Sequence, residues 1–445
     1  MRLQQELLFA LTALIVGCQT PDDAFTDTGS PPVDGGLTLD GGGDAGAPTP
    51  QAFRSAGRQL VTECPLRAAP CASWPTTGTI YRYEAEERFG AQTHTRAFYV
   101  YVPEGVGPSA PVWIQLHGGY GSGARMLVDF GGMELSTGEP VGWGANTGGC
   151  RFDPFIEPLL HRDDAGEPCT PEPQTTWSTE RFILVFPEGI EDASGFGRHW
   201  EDGRVPSPGQ GTTEEQRDDV GFMDHVVSRL RAETDAFGVD PTRIYLSGLS
   251  NGGMMTARVI CALGDPAYPE LTRIAAFGVM IATLPEALAL GLDGRTACPE
   301  ETPTPVPVHY MVGRGIPTFG GVTDGDGRVP WGSAGEIYMQ DFSGGGRVFG
   351  VDDSLDSLRG ALERSSGAAT VEETGSIGVF TTWRRFGVPT SAAEVELLAT
   401  DGGLHSTLSH RGDFVPTARV WAFMSRYRLD GDELTRGESA IRGTY

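Results

Sequence analysis

Apolar residues recur along this chain in two rhythms. Short β-branched and aromatic runs at 95–102, 112–116, 182–186, 243–247, 274–281, 306–312 and 395–398 predict strands. Between them Val220, Met223, Val226, Val227 and Leu230 fall on one helical face, behind Asp218 and Asp219, which can cap its start. Val420, Phe423, Met424 and Tyr427 repeat that spacing near the end. Nearly continuous apolar strands alternating with amphipathic helices predict a mostly parallel sheet covered by helices on both faces. Polar, glycine-rich stretches at 120–181, 190–217 and 313–375 break the alternation and predict long loop insertions, serving as lids and pocket walls or as ornament on the rim.

One strand ends abruptly. The run 243–247 passes into Gly248-Leu-Ser-Asn-Gly252, and a helix-like stretch follows. Gly-x-Ser-x-Gly at a strand-to-helix turn is a nucleophile elbow: the glycines leave room where a Cβ would collide, and the hydroxyl of Ser250 stands at a helix N-terminus that favours developing negative charge. A serine nucleophile needs oxyanion donors and a base. The strand 112–116 runs into His117-Gly-Gly119, where a backbone N–H at Gly119 can meet a substrate oxygen, and the N–H of Asn251 supplies the second donor. His117 reads as a loop-shaping residue, because the triad order places the base after the serine. His309 lies inside a predicted strand. His405, in the loop after the last strand, is the expected base, with His410 as the fallback.

Composition removes competing chemistries. All 33 basic residues of the 445 are arginine, so a phosphate-loop lysine, a Schiff-base lysine and a serine/lysine dyad are excluded. A net charge of -26 without a basic run is wrong for a nucleic-acid surface. The 39% hydrophobic content suffices for a large core.

The first residues read as an address. Residues 7–16 are an apolar stretch too short to span a bilayer, and Ile15-Val-Gly-Cys18 resembles a bacterial lipobox, which would make Cys18 a lipidated first residue and place the protein outside the cytoplasm, anchored or secreted. Residues 19–52 hold almost no large apolar side chain and read as a flexible tether. The remaining cysteines, Cys64, Cys71, Cys150, Cys169, Cys261 and Cys298, are even in number and suit disulfides in an exported chain. Sequence alone permits 15 pairings, and closeness favours Cys64 with Cys71, Cys150 with Cys169, and Cys261 with Cys298. None has zinc-site spacing, so no metal is expected.

Over roughly 94–428 the chain resembles the polyhydroxybutyrate depolymerase family of α/β-hydrolases, with its feruloyl and acetylxylan esterase relatives. The resemblance rests on Gln115-Leu-His-Gly-Gly119, Val185-Phe-Pro-Glu-Gly189, His199-Trp200, Asp218-Asp-Val-Gly-Phe222, Phe237 through Met255, and Gly402-Gly-Leu-His405. It implies an α/β-hydrolase fold, acylation of Ser250 by an ester, His405 as its base, no cofactor, and a bridge between Cys261 and Cys298. One position departs: where family members carry the triad aspartate, this chain has Ile316. Asp324, or alternatively Asp326, follows in the same loop and is the expected substitute. The resulting expectation is a signal segment 1–18, a tether 19–52, a catalytic domain 53–432 and a tail 433–445, forming a serine ester hydrolase. A non-catalytic binding module on a hydrolase scaffold, or a serine peptidase of that fold, are the alternatives.

Overall fold

A computed structural model describes the chain from residue 53 to residue 442 with breaks, the longest at 63–77, 132–180 and 315–349 (each of the last two apart from two-residue strands), 203–217, 285–305 and 402–415. Cys18 and the two N-terminal segments lie outside the described residues, as do Cys64, Cys71, Cys150, Cys169, Cys298, Ile316, Asp324, Asp326, His405 and His410. Residues 47–445 form one compact unit. Among the described residues no helix is long and apolar enough to cross a membrane.

Counting strands of four residues or more, the chain forms β1 (Phe53–Leu60), β2 (Thr79–Phe89), β3 (Gln92–Val102), β4 (Ala110–Leu116), β5 (Ile183–Pro187), β6 (Val239–Leu249), β7 (Ile274–Met280), β8 (Val308–Arg314), β9 (Val371–Ile377), β10 (Thr381–Gly387), β11 (Glu394–Asp401), β12 (Tyr427–Asp430) and β13 (Glu433–Arg436). Among the described residues the helices of eight residues or more are α1 (Gly123–Gly131), α2 (Asp219–Ala232), α3 (Asn251–Cys261), α4 (Val351–Ser366) and α5 (Pro416–Met424).

The first eleven strands make one sheet in the order β1-β2-β3-β5-β4-β6-β7-β8-β11-β10-β9. Its centre, from β5 through β4, β6, β7 and β8 to β11, is parallel, and both flanks are antiparallel. The serine-bearing turn follows a central strand whose neighbour β4 leads into the His117-Gly118-Gly119 loop. This is the α/β-hydrolase fold.

Burial explains the centre. Every residue of β4, β5 and β7 is buried, as a parallel strand covered on both faces requires. One face packs Val220, Phe222 and Met223 of α2, Met254 and Met255 of α3, and Leu355 of α4. The other packs Ala124 and Leu127 of α1 and Trp421 and Phe423 of α5. The Asp218 carboxylate caps α2, accepting from Gly221 N–H at 2.8 Å, while Arg229 and Arg231 sit in its last turn where they complement the helix dipole.

Three sequence readings are corrected. The stretches 120–181 and 313–375 are not loop throughout, because the first contains α1 and the second α4, whose acidic first turn (Asp352, Asp353), Arg364 in the last turn and left-handed Gly367 cap are sound helix signals on a mostly polar face. Tyr427 does not continue the last helix. It begins β12, which pairs with β13, so regular structure runs past residue 432, where the sequence reading places a tail. The antiparallel flanks escape the apolar pattern because β1 and β9 are largely exposed.

Candidate active site

Ser250 stands between β6 and α3 with φ 54° and ψ −121°, a left-handed conformation that a non-glycine residue holds only under constraint. The constraint is visible. Its N–H donates to Met280 O at the end of β7 at 2.9 Å, and its carbonyl accepts from Met254 N–H at 2.9 Å, so the turn is tied on both sides. The flanking glycines exist for close approach: a Cβ on Gly248 would lie 2.1 Å from Gly252 O, and one on Gly252 would lie 2.4 Å from His117 O. Helix α3, which starts at Asn251, is buried along its whole length, so the turn is set on a rigid support.

The loop after β4 lies against this turn. A Cβ on Gly118 would come 3.5 Å from Ser250 Cβ, and one on Gly119 would come 3.8 Å from Asn251 Cβ. As the first helical residue, Asn251 has a backbone N–H without an intrahelical acceptor. Gly119 and Asn251, the expected oxyanion donors, are therefore neighbours in space.

His117 is buried and both ring nitrogens have partners. Nδ1 lies 2.7 Å from Gly118 O, which can only accept, and Nε2 accepts from Gly189 N–H at 2.9 Å. The ring is thus the neutral Nδ1–H tautomer. Burial pushes its pKa down to about 4. It holds a loop and is not placed to take a proton from the serine.

Motifs far apart in sequence converge behind the loop. Trp200 donates from Nε1 to His117 O at 2.9 Å, and its backbone N–H and C=O are held by the Asn251 amide at 2.7 and 3.0 Å. Asn251 Nδ2 also donates to Asp202 Oδ2 at 2.7 Å. Glu201 N–H donates to Asp219 Oδ2 at 2.6 Å, and Asp219 pairs with Arg96, which reaches Glu87 at 3.0 Å. Arg96, Glu87 and Asp219 are almost wholly buried, and the guanidinium stacks on Phe222 at 4.1 Å. In sequence His199-Trp200 stands only as a motif, and Asp218-Asp219 as a motif and a helix cap. Their joint role as the brace of the elbow was hidden because its partners come from six separate segments.

A polar cavity of about 350 Å³ is lined by Arg82, His94, Tyr99, Glu188, Glu191 and Arg198, among others. Arg198 donates to Gly189 O at 3.0 Å and lies 3.2 Å from Glu188, whose carboxyl is pushed up by burial.

The expected base and acid, His405 and Asp324 or Asp326, lie outside the described residues, but the strand ends that lead to them do not. Arg314 at the end of β8 and Asp401 at the end of β11 form an ion pair at 2.7 Å, which ties the roots of those two loops together. His309 is inside β8 as its sequence implied, fully buried with Nδ1 3.1 Å from Glu396. Arg385 and Arg419 also bind Glu396, and His309 sits near the end of β8 where that strand starts, away from the serine, so it belongs to a structural ion cluster. Cys261 is buried and disulfide-bonded, and every other cysteine lies outside the described residues.

No protein-family model matches the chain, and no curated protein matches it in sequence. Among solved structures it is similar to an acetyl xylan esterase from Aspergillus awamori, with 14% identity over 80% of this chain and 96% of that one and a TM-score of 0.35. It is also similar to a glucuronoyl esterase from Solibacter usitatus, with 12% identity over 84% and 87% of the two chains and a TM-score of 0.33. The assignment of the fold stands on the strand order and the elbow, not on these likenesses.

Proposed function

We propose that this protein is a serine carboxylester hydrolase acting through an acyl-enzyme. The observation that carries the reading is Ser250 itself: a serine held at positive φ, at the N-terminus of a buried helix, with a glycine loop against it. A conformation of that kind costs about 1–3 kcal/mol, is held only where the surroundings over-determine it, and clusters at functional sites. In the proposed reaction Ser250 Oγ attacks the ester carbonyl while His405 takes its proton. The N–H groups of Gly119 and Asn251 stabilise the oxyanion. His405 returns the proton to the departing alkoxide, and water then deacylates Ser250 by the same route. Asp324, or Asp326, orients the imidazole in place of the residue replaced by Ile316. Neither a metal nor an organic cofactor enters these steps.

The substrates proposed are extracellular esters or polyesters, of the polyhydroxybutyrate or feruloyl type that the motif resemblance implies, with the protein lipid-anchored through Cys18. The anchor is tested by Cys18→Ser, which should move the protein from the membrane to the soluble fraction. An unchanged distribution would remove the anchor. A binding module without chemistry is the second reading, favoured by Ile316 alone. Hydrolysis of p-nitrophenyl acetate, methyl ferulate and an emulsified polyester by the purified chain separates the two. Turnover of any of them supports the enzyme, and none with an intact fold supports the binder.

A further inference from the structure

We infer that Trp200 is a positioning residue that sets the spacing between the two halves of the oxyanion site, an inference that rests on the esterase reading above. The two donors come from different elements. Gly119 belongs to the loop after β4, and Asn251 opens α3. Nothing in the sheet's hydrogen-bond ladder fixes the distance between them, since that ladder ends at Leu116 opposite Gly248.

Trp200 touches both halves. Its indole Nε1–H donates to His117 O, the carbonyl immediately before the glycine pair, at 2.9 Å. Its own backbone is clasped twice by the Asn251 side chain, with Oδ1 accepting from Trp200 N–H at 2.7 Å and Nδ2 donating to Trp200 O at 3.0 Å. Two hydrogen bonds to one amide fix the side-chain torsions of Asn251, and Asp202 Oδ2 at 2.7 Å holds the remaining Nδ2–H. The indole also packs against the His117 ring with centroids 4.9 Å apart. At 1% exposure Trp200 meets no substrate. The indole Nε1–H is a donor only, held on a rigid plane, so it can bridge to His117 O while the Trp200 backbone is committed to Asn251.

The consequence is kinetic. Oxyanion donors act only when they stand about 2.7–3.1 Å from where the charge develops, and loss of one donor costs on the order of 10²–10³ in kcat. Displacement by a fraction of an ångström costs less than loss, so removing the strut should slow the chemical step by about 10–100-fold while leaving ground-state binding nearly unchanged.

The test uses the full chain with two variants: Trp200→Phe, and replacement of Trp200 by β-(3-benzothienyl)alanine, in which sulfur stands for the N–H at nearly constant volume. Three readouts are needed: kcat and KM on p-nitrophenyl acetate, affinity for an aryl trifluoromethyl ketone that forms a tetrahedral oxyanion adduct, and affinity for the carboxylate product. The expected result is a kcat lower by about 10–100-fold, a KM within about twofold, and ketone affinity falling with kcat while product affinity holds. Folded variants with unchanged kcat and ketone affinity would overturn the inference. So would equal losses for ketone and product, or a benzothienyl variant that does not fold, because the N–H would then serve the fold. An inactive wild type would remove the esterase reading and this inference together, whereas an active wild type with indifferent variants removes this inference alone.

Discussion

A Cβ placed on Gly252 would stand 2.4 Å from the carbonyl oxygen of His117, so the helix that begins at the serine and the strand end that carries the His117-Gly118-Gly119 loop meet backbone to backbone. Gly252→Ala cannot be absorbed by a side-chain movement, because Leu116 O is also only 2.7 Å away. The variant should lose about 3 kcal/mol or more of stability by overpacking and should lose most activity. Urea denaturation compares it with Ala257→Gly, a change later in α3, which should cost about 2 kcal/mol from helix propensity and one buried methyl together.

The buried Arg96 offers a second test. Arg96→Met leaves Glu87 and Asp219 without their shared cation and should destabilise by about 3–5 kcal/mol. Asp219 also accepts from Glu201 N–H, in the segment that carries Trp200, so activity should fall along with the melting midpoint. A midpoint unchanged within about 2 °C would mean the pair of carboxylates is satisfied in another way.

His117 makes stability depend on pH. Its pKa when folded is about 4, below the value near 6.5 expected of an unfolded histidine, so the unfolded chain binds the extra proton first. The contribution of neutral His117 is therefore complete above about pH 6.5 and is lost as pH falls toward 4, about 3 kcal/mol in total. Asp224, raised to about 6 mainly by burial, acts in the opposite sense over part of the same window. The difference between wild type and His117→Asn isolates the histidine. Wild type should lose more stability than the variant between pH 7.5 and pH 4.5, measured by urea titration, and parallel losses would refute the buried neutral ring.

Much of this architecture is legible from residues alone, for a physical reason. The parallel strands are buried on both faces and so are written as unbroken apolar runs, and the elbow is written in glycines that its close contacts demand. What escapes is written elsewhere. α4 hides its apolar stripe of Val351, Leu355 and Leu362 among acidic and small residues. β1 and β9 carry mostly exposed side chains, so neither has the alternation of a half-buried strand. The brace around Trp200 depends on pairings between 96, 117, 200, 219 and 251, a convergence that spacing along the chain does not encode. Asn251 is the instructive case. Its backbone is legible from its place after the serine, whereas the grip of its side chain on Trp200 is a tertiary fact.

Ile316, where the motif resemblance implies an aspartate, yields a direct comparison. If Asp324 orients His405, Asp324→Asn should lower kcat by on the order of 10³-fold or more, because an amide favours the wrong imidazole tautomer, and Asp326→Asn should be mild. The reverse outcome transfers the role to Asp326. Near-normal rates in both variants and in the double variant would exclude that loop as the source of the acid.

Ser250 supports a prediction about backbone strain, read from two variants that both lack the nucleophile. Ser250→Ala removes the nucleophile but keeps a Cβ at φ 54°, whereas Ser250→Gly removes both. The glycine variant should be the more stable of the two by about 1 kcal/mol, since strain relief of about 1–3 kcal/mol exceeds the entropy that glycine adds to the unfolded chain. Equal stabilities would mean the turn is relaxed.

The central claim is that Ser250 is acylated. The most direct measurement is labelling of the folded wild-type chain by a fluorophosphonate, followed by proteolysis and mass analysis of the modified peptide. The account predicts one adduct on Ser250, formed in proportion to the loss of ester hydrolysis and absent in Ser250→Ala. An adduct on another serine, or full ester turnover in a chain whose Ser250 is alanine, would contradict it.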